Sequence, residues 1–255
     1  MRNFTKRRFD YFVTMLAALT VALTLTACSK SNSTTTQRPA NVIAAASQAK
    51  APPTPQEWKS ALMSSYNESQ VEDKGDGVTT FMAMFKLPQK DVVGLAFGER
   101  DAFRKLRFYK MGMPMQIATG VKAYISLKDN GKPVLFLQPY YWGDSWLFMD
   151  KVAVLVDGEL VMEHTCPKPD RDTEGVGVKE QCDFILSDEE IAGLRKITNT
   201  SKVAVRLTGT KGYTNVDSKG YNPLKYFVAD IQSGIAIYDA INKALEGHIP
   251  PRPTT

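Results

Sequence analysis

The stretch MQIATGVKAYISLKDNGKPVLFLQPYY, residues 115–141, decides the fold. Its odd positions up to 127 are mostly apolar: Met115, Ile117, Val121, Ala123, Ile125 and Leu127. Gln116, Lys122 and Ser126 fall on even positions. A period of two marks a strand with one buried and one wetted face. Asp129-Asn130-Gly131 then supplies a hairpin turn, because Asn and Gly accept positive φ. Residues 134–141 read as the returning strand. Pro139 has no N–H to give a ladder, which predicts an edge or a bulge there.

Moving outward, residues 146–156 are apolar on both faces and read as a central strand. Asp157-Gly158 turns the chain again, and residues 159–165 return. The prediction is a four-strand antiparallel meander ending at Cys166. Upstream, Thr54-Pro55-Gln56-Glu57 forms a capping box with Pro at the first helical position. Trp58, Leu62 and Tyr66 share one helical face over 55–66. Residues 72–77 read as an acidic loop, and 78–86 as a strand with Phe81 and Phe85 on one side. Residues 89–110 stay ambiguous. Their basic, aromatic part from 99 to 110 suits either a solvated face or contact with anionic lipid headgroups.

Downstream, Ser187 and Glu190 form a second capping box, with Leu186 and Ile191 as its hydrophobic staple. Val203, Val205 and Leu207 alternate with Lys202 and Arg206 as a strand. Residues 209–220 read as a hairpin or long loop. Asn222 caps the longest helix, whose apolar stripe runs through Leu224, Val228, Ile231, Ile235, Tyr238 and Leu245. Gly247 and the prolines that follow it end that helix. The expected fold class is α+β: one domain over 54–249, an antiparallel meander or sandwich covered by a long C-terminal helix and shorter helices, with a tail at 250–255.

The start of the chain is basic at Arg2, Lys6, Arg7 and Arg8, then apolar from 11 to about 25, then small. This is the order of a secretory signal, and the apolar run is short for a span of about 20 residues. Leu25-Thr26-Ala27-Cys28 looks like the lipobox of a bacterial lipoprotein. The resemblance implies a signal peptide over 1–27, cleavage before Cys28, and a lipid on that cysteine as the membrane anchor. Ser29 after it favours the outer over the inner membrane. Residues 28–53 are rich in Ser, Thr, Gln, Ala and Pro, and read as a flexible tether.

Much of the +5 net charge and pI of 9.0 leaves with the signal segment. The basic balance is therefore no nucleic-acid footprint. Of three cysteines, assigning Cys28 to lipid leaves Cys166 and Cys182. An even remainder in an oxidising compartment predicts one disulfide, against the rival of a redox or metal pair. The intervening PKPDRDTEGVGVKEQ is polar and rich in turn formers.

Signals for chemistry are sparse. Two histidines, His164 and His248, stand without zinc spacing or a nucleophile motif. Gly175-Val176-Gly177 lies in the polar loop and is no phosphate cradle. Tyr140, Tyr141, Trp142 and Trp146, with Asp144 and Asp150 beside them, form an aromatic and carboxylate region suited to sugars, including peptidoglycan; the plainer reading is cross-strand packing. Tyr140, Trp142, Asp144 and Trp146 are the candidate ligand surface. Met111, Met113 and Met115, echoed by Met82 and Met84, would suit Cu(I), although methionine is also an ordinary gap filler.

Residues 146–156 with Asp157-Gly158-Glu159, then Arg206-Leu207-Thr208-Gly209 and the Asn222-Pro223 helix, resemble a group of enterobacterial lipoproteins, the YafY/YfjS-like set. The resemblance spans roughly residues 115–250 and carries no catalytic motif. It implies an envelope lipoprotein. The expectation is a non-enzymatic interaction or structural module, held to a membrane by its lipid and facing an envelope protein or peptidoglycan. No cofactor beyond that lipid, no metal and no nucleic acid are expected. The alternatives are a glycan-binding or glycan-cleaving domain and a Met-based Cu(I) binder.

Overall fold

The computed structural model describes residues 52–112, 118–174, 177–216 and 222–249, all within one compact unit that begins at Ala49. The class is α+β: among the described residues, mostly antiparallel strands form two sheets, with three helices. Helix α1 is Pro55–Ser64. Strands β1 (Tyr66–Gly75), β2 (Val78–Phe85), β3 (Leu95–Asp101), β4 (Leu106–Lys110), β5 (Gly120–Lys128) and β6 (Pro133–Gly143) follow as successive hairpins. Then come β7 (Met149–Val156), β8 (Glu159–Thr165), β9 (Asp170–Glu174), β10 (Gly177–Gln181) and β11 (Phe184–Ile185). Helix α2 (Asp188–Leu194), β12 (Val203–Gly209), β13 (Gly212–Asn215) and helix α3 (Pro223–Leu245) complete the chain.

The larger sheet has the order β1-β2-β3-β4-β5-β6-β10-β9, with β11 also on β6; the smaller runs β13-β12-β7-β8. Helix α3 lies on β5 and β6 and also touches β12 and α1. Its buried stripe is Phe227, Ile231, Gly234, Ile235, Ile237, Ile241 and Leu245. Gly234 lets the helix sit close, since a Cβ there would come within 2.9 Å of the Met111 thioether methyl. The alternation read in β5 holds: Val121, Ala123, Ile125 and Leu127 are buried toward α3. Both capping boxes form, at Thr54/Glu57 and Ser187/Glu190. Each such cap contributes about 1 kcal/mol.

Several expectations are corrected. Tyr66 leaves the helix and opens β1 opposite Phe85, while staying buried. Residues 72–75 belong to that strand rather than to a loop, and the turn is confined to Asp76-Gly77. The ambiguous stretch 89–110 becomes the β3–β4 hairpin. The four-strand meander is divided: β5 and β6 lie in the larger sheet, β7 and β8 in the smaller, because residues 144–148 carry the chain across. Strand β6 is interior. Pro139 is tolerated because its neighbour breaks between β10 and β11, where the Cys182 N–H donates to the Pro139 carbonyl at 3.2 Å. The polar loop between the cysteines is the β9–β10 hairpin.

Each sheet border is guarded differently. Strand β1 is irregular, with register shifts between Ser69 and Glu72 and between Asp73 and Gly75. Strand β9 carries Asp170, Arg171 and Asp172. Strand β13 has only four residues, and β8 is covered by α2, where a Cβ on Gly193 would sit 3.2 Å from that of Val161. No helix among the described residues is long and apolar enough to cross a membrane.

Candidate functional site

Chain crossing from β6 to β7 has no ladder of its own, so its backbone groups need other partners. Glu180 on β10 provides them. One carboxylate oxygen accepts the Leu147 and Phe148 N–H groups at 2.7 and 2.8 Å, and the other accepts the Met149 N–H at 2.7 Å. Arg171 Nε donates to the same carboxylate at 3.2 Å. Glu180 is completely covered, and four donors offset the removal of its charge from water. From the other side, the Thr210 and Lys211 N–H groups donate to the Phe148 and Leu147 carbonyls at 3.3 and 3.2 Å. The crossover is thus bonded along both edges.

That framework holds Phe148 at φ 54, a left-handed conformation unusual for a bulky side chain. The half-buried ring is turned toward cations: Arg171 lies 5.3 Å and Lys211 5.8 Å from its centroid. Trp146 is its aromatic neighbour at 6.4 Å. Beside the ring runs a shallow groove of about 590 Å³, lined by Phe148, Met149, Asp150, Lys151, Thr165, Cys166, Pro167, Pro169, Arg171 and Thr210. The Cys166–Cys182 disulfide is present. It joins the end of β8 in one sheet to the end of β10 in the other, next to Glu180, and the Cys166 N–H donates to the Asp150 carbonyl at 2.6 Å. Covalent bond and carboxylate therefore clamp the same seam between the sheets.

The four residues expected to form one ligand surface are divided between two places. Tyr140 and Trp142 belong to the face of β6 that points away from α3. There the Lys122 ammonium sits 5.7 Å over the Tyr140 ring, and Tyr124 and Phe136 stack at 4.8 Å and 7°. Trp142 lies against Gly177, where a Cβ would come within 3.3 Å of the indole nitrogen. Trp146 belongs to the crossover, and Asp144 is exposed on the turn before it. No ring contact joins Tyr140, Trp142 and Trp146 among the described residues. Neither tryptophan is buried in the core. Burial pushes the Tyr140 hydroxyl up to about 12.

Sequence reasoning missed Glu180, Phe148, Arg171 and Lys211. The available signal was weak: a Glu two residues before a cysteine, and an aromatic within a run of aromatics.

Other expected features serve the fold. His164 stacks on Phe184 at 4.2 Å and meets Glu190 at 2.5 Å, tying β8 to α2. Four of the five cations in the basic segment are paired: Arg100 with Glu68, Arg104 with Asp101, Arg107 with Asp129 and Lys110 with Glu99. Met111 is a core residue under α3, while Met113 and Met115 lie outside the described residues, as does Cys28. Among the described residues no three His, Cys, Asp or Glu side chains are grouped to hold a metal ion. Asp230 on α3 is another buried carboxyl. Burial raises it from 3.8 to about 7, against the pull of Lys122.

Compared with known proteins, the chain matches no family model, no curated protein and no solved structure.

Proposed function

We propose that this chain is a lipid-anchored, non-catalytic binding module of the bacterial cell envelope, facing the periplasm. The observation that carries the binding role is the arrangement at Glu180. A buried carboxylate with four donors is committed to holding Phe148 in a strained conformation beside a groove. That is the geometry of a presented contact surface. The anchor rests on Leu25-Thr26-Ala27-Cys28, with Ser29 favouring the outer membrane. The paired Cys166 and Cys182 support it, since they leave Cys28 as the odd cysteine. The likeness to the YafY/YfjS-like lipoproteins belongs to the same reading.

Mass spectrometry of the protein from membranes of a Gram-negative host tests the anchor. A mature chain starting at a lipidated Cys28 is expected, with a Cys28→Ala variant released from the membrane fraction. An intact Met1, or an unmodified Cys28 at the mature start, would overturn it.

A second reading, glycan binding or cleavage at the outer face of the larger sheet, is favoured by the coplanar Tyr124 and Phe136 beside Tyr140 and Trp142. Pelleting with peptidoglycan sacculi tests it: retention lost in Trp142→Ala supports it, and no retention of the parent protein sinks it.

A further inference from the structure

We propose that the groove beside Phe148 binds the carboxylate of a ligand whose apolar body lies on Phe148, Trp146, Pro167 and Pro169, and that Arg171 and Lys211 hold that carboxylate. The inference rests on the binding-module reading and names the ligand class of its site.

Four observations carry it. Two cations flank one ring, 5.3 and 5.8 Å from its centroid. An anion lying over that ring is within reach of both charges. Arg171 has five N–H donors, of which Nε goes to Glu180. Its exposed end turns outward, while Glu180 is wholly covered and accepts three backbone N–H groups besides. Lys211 makes no ion pair among the described residues, and its ammonium is positioned by the Phe148 ring. Finally, one carboxylate, Asp150, lines the groove against Lys151 and Arg171, with Lys211 next to the lining Thr210. Lys151 is engaged by Glu163 at 3.4 Å, whereas Lys211 has no ion pair among the described residues and Arg171 keeps donors beyond the Nε that meets Glu180. Both are fixed by Glu180, Arg171 through its ion pair and Lys211 through the crossover that its N–H bonds. The bidentate guanidinium suits a planar carboxylate, and the ammonium adds a point charge.

N-acetyl-phenylalanyl-alanine, which combines an apolar ring with one free carboxylate, is the probe. Its primary amide, which differs only in the loss of that charge, is the control. Calorimetric titration of the full-length protein in detergent is expected to show the acid binding at least 10-fold more tightly than the amide, with the preference narrowing as salt rises. Lys211→Gln, at an exposed position with no ion pair to lose, should abolish most of that preference while the unfolding midpoint stays put. Arg171→Gln also breaks the Glu180 pair and is not a clean probe. Equal binding of acid and amide, no binding of either, or a preference undiminished in Lys211→Gln would each overturn the proposal. A lipidated Cys28 alongside any of these results would leave the envelope reading standing. Binding mapped by amide shifts to the Tyr124–Phe136 face instead of residues 146–151 would sink the site and favour the sheet-face reading.

Discussion

Asp230 rests its carboxyl on the backbone of Gly112: a Cβ at that glycine would lie 2.5 Å from Oδ1 and 2.6 Å from Oδ2. Gly112 also has φ +69, which L side chains adopt at a cost. Gly112→Ala should therefore destabilise the protein by about 1–3 kcal/mol, read as a lowered denaturant midpoint. Adding Asp230→Ala removes the clash but not the backbone strain, so the double variant should recover part of the loss. A Gly112→Ala protein as stable as the parent would contradict the contact.

The same carboxyl gives a pH signature. Asp230 stands near 3.8 when unfolded and at about 7 when folded, raised by burial. The folded state thus holds its proton more tightly. The stabilisation is fully present below pH 3.8 and is lost as pH rises through about 7. The gap sets a ceiling of roughly 4 kcal/mol. Asp230→Asn should flatten the decline in stability between pH 4 and 8 and be more stable than the parent at the alkaline end. Unfolding curves across that range check it, and parallel profiles for the two proteins would refute it.

At the crossover, Glu180→Gln replaces an acceptor of three N–H groups with an amide that must point a donor at some of them, and it strands the Arg171 charge. A loss of about 3–5 kcal/mol is expected, measured by guanidinium unfolding. Phe148→Gly acts oppositely on the backbone, because φ 54 suits glycine. It should be more stable than Phe148→Ala by about 1 kcal/mol while removing the ring that places Lys211.

Replacing Cys166 and Cys182 by Ser opens a loop of sequence separation 16. Chain-entropy considerations give a loss of about 3 kcal/mol. Comparing unfolding midpoints of the parent with and without reductant, beside the double-serine variant, checks it. Reduction and substitution should agree.

Legibility in the sequence followed locality. The capping boxes at Thr54 and Ser187, the Asp129-Asn130-Gly131 turn and the α3 stripe are set by residues three or four apart, and all form. Alternation marks β5, the turn after it marks β6, and a run apolar on both faces marks β7, but none of these signals says which sheet a strand joins, so the division between the sheets is hidden. Charged β9 reads as loop because a border strand is protected by the same polar residues that make a loop, and β10, paired on both sides, is polar enough at Lys179, Glu180 and Gln181 to read the same way. The crossover site was half visible: Trp146 and the aromatic run were noticed, but Glu180 lies 31 to 33 residues from the N–H groups that it binds, beyond any local pattern. Sequence proximity groups Tyr140 and Trp142 with Trp146, whereas β6 ends at Gly143 and the bend at Asp144-Ser145 sends Trp146 elsewhere.

The guarded borders bear on crowding. A chain tethered by lipid would be confined to two dimensions, where neighbours meet often and at fixed height. An open strand edge in that setting would recruit the next copy and spread into a fibre. Here the irregular β1, the charged β9, the four-residue β13 and the helix-covered β8 give an approaching strand no straight, unoccupied row of N–H and C=O groups. Among the described residues, edge-to-edge pairing between copies thus finds little to build on, which is what display on a crowded surface would demand.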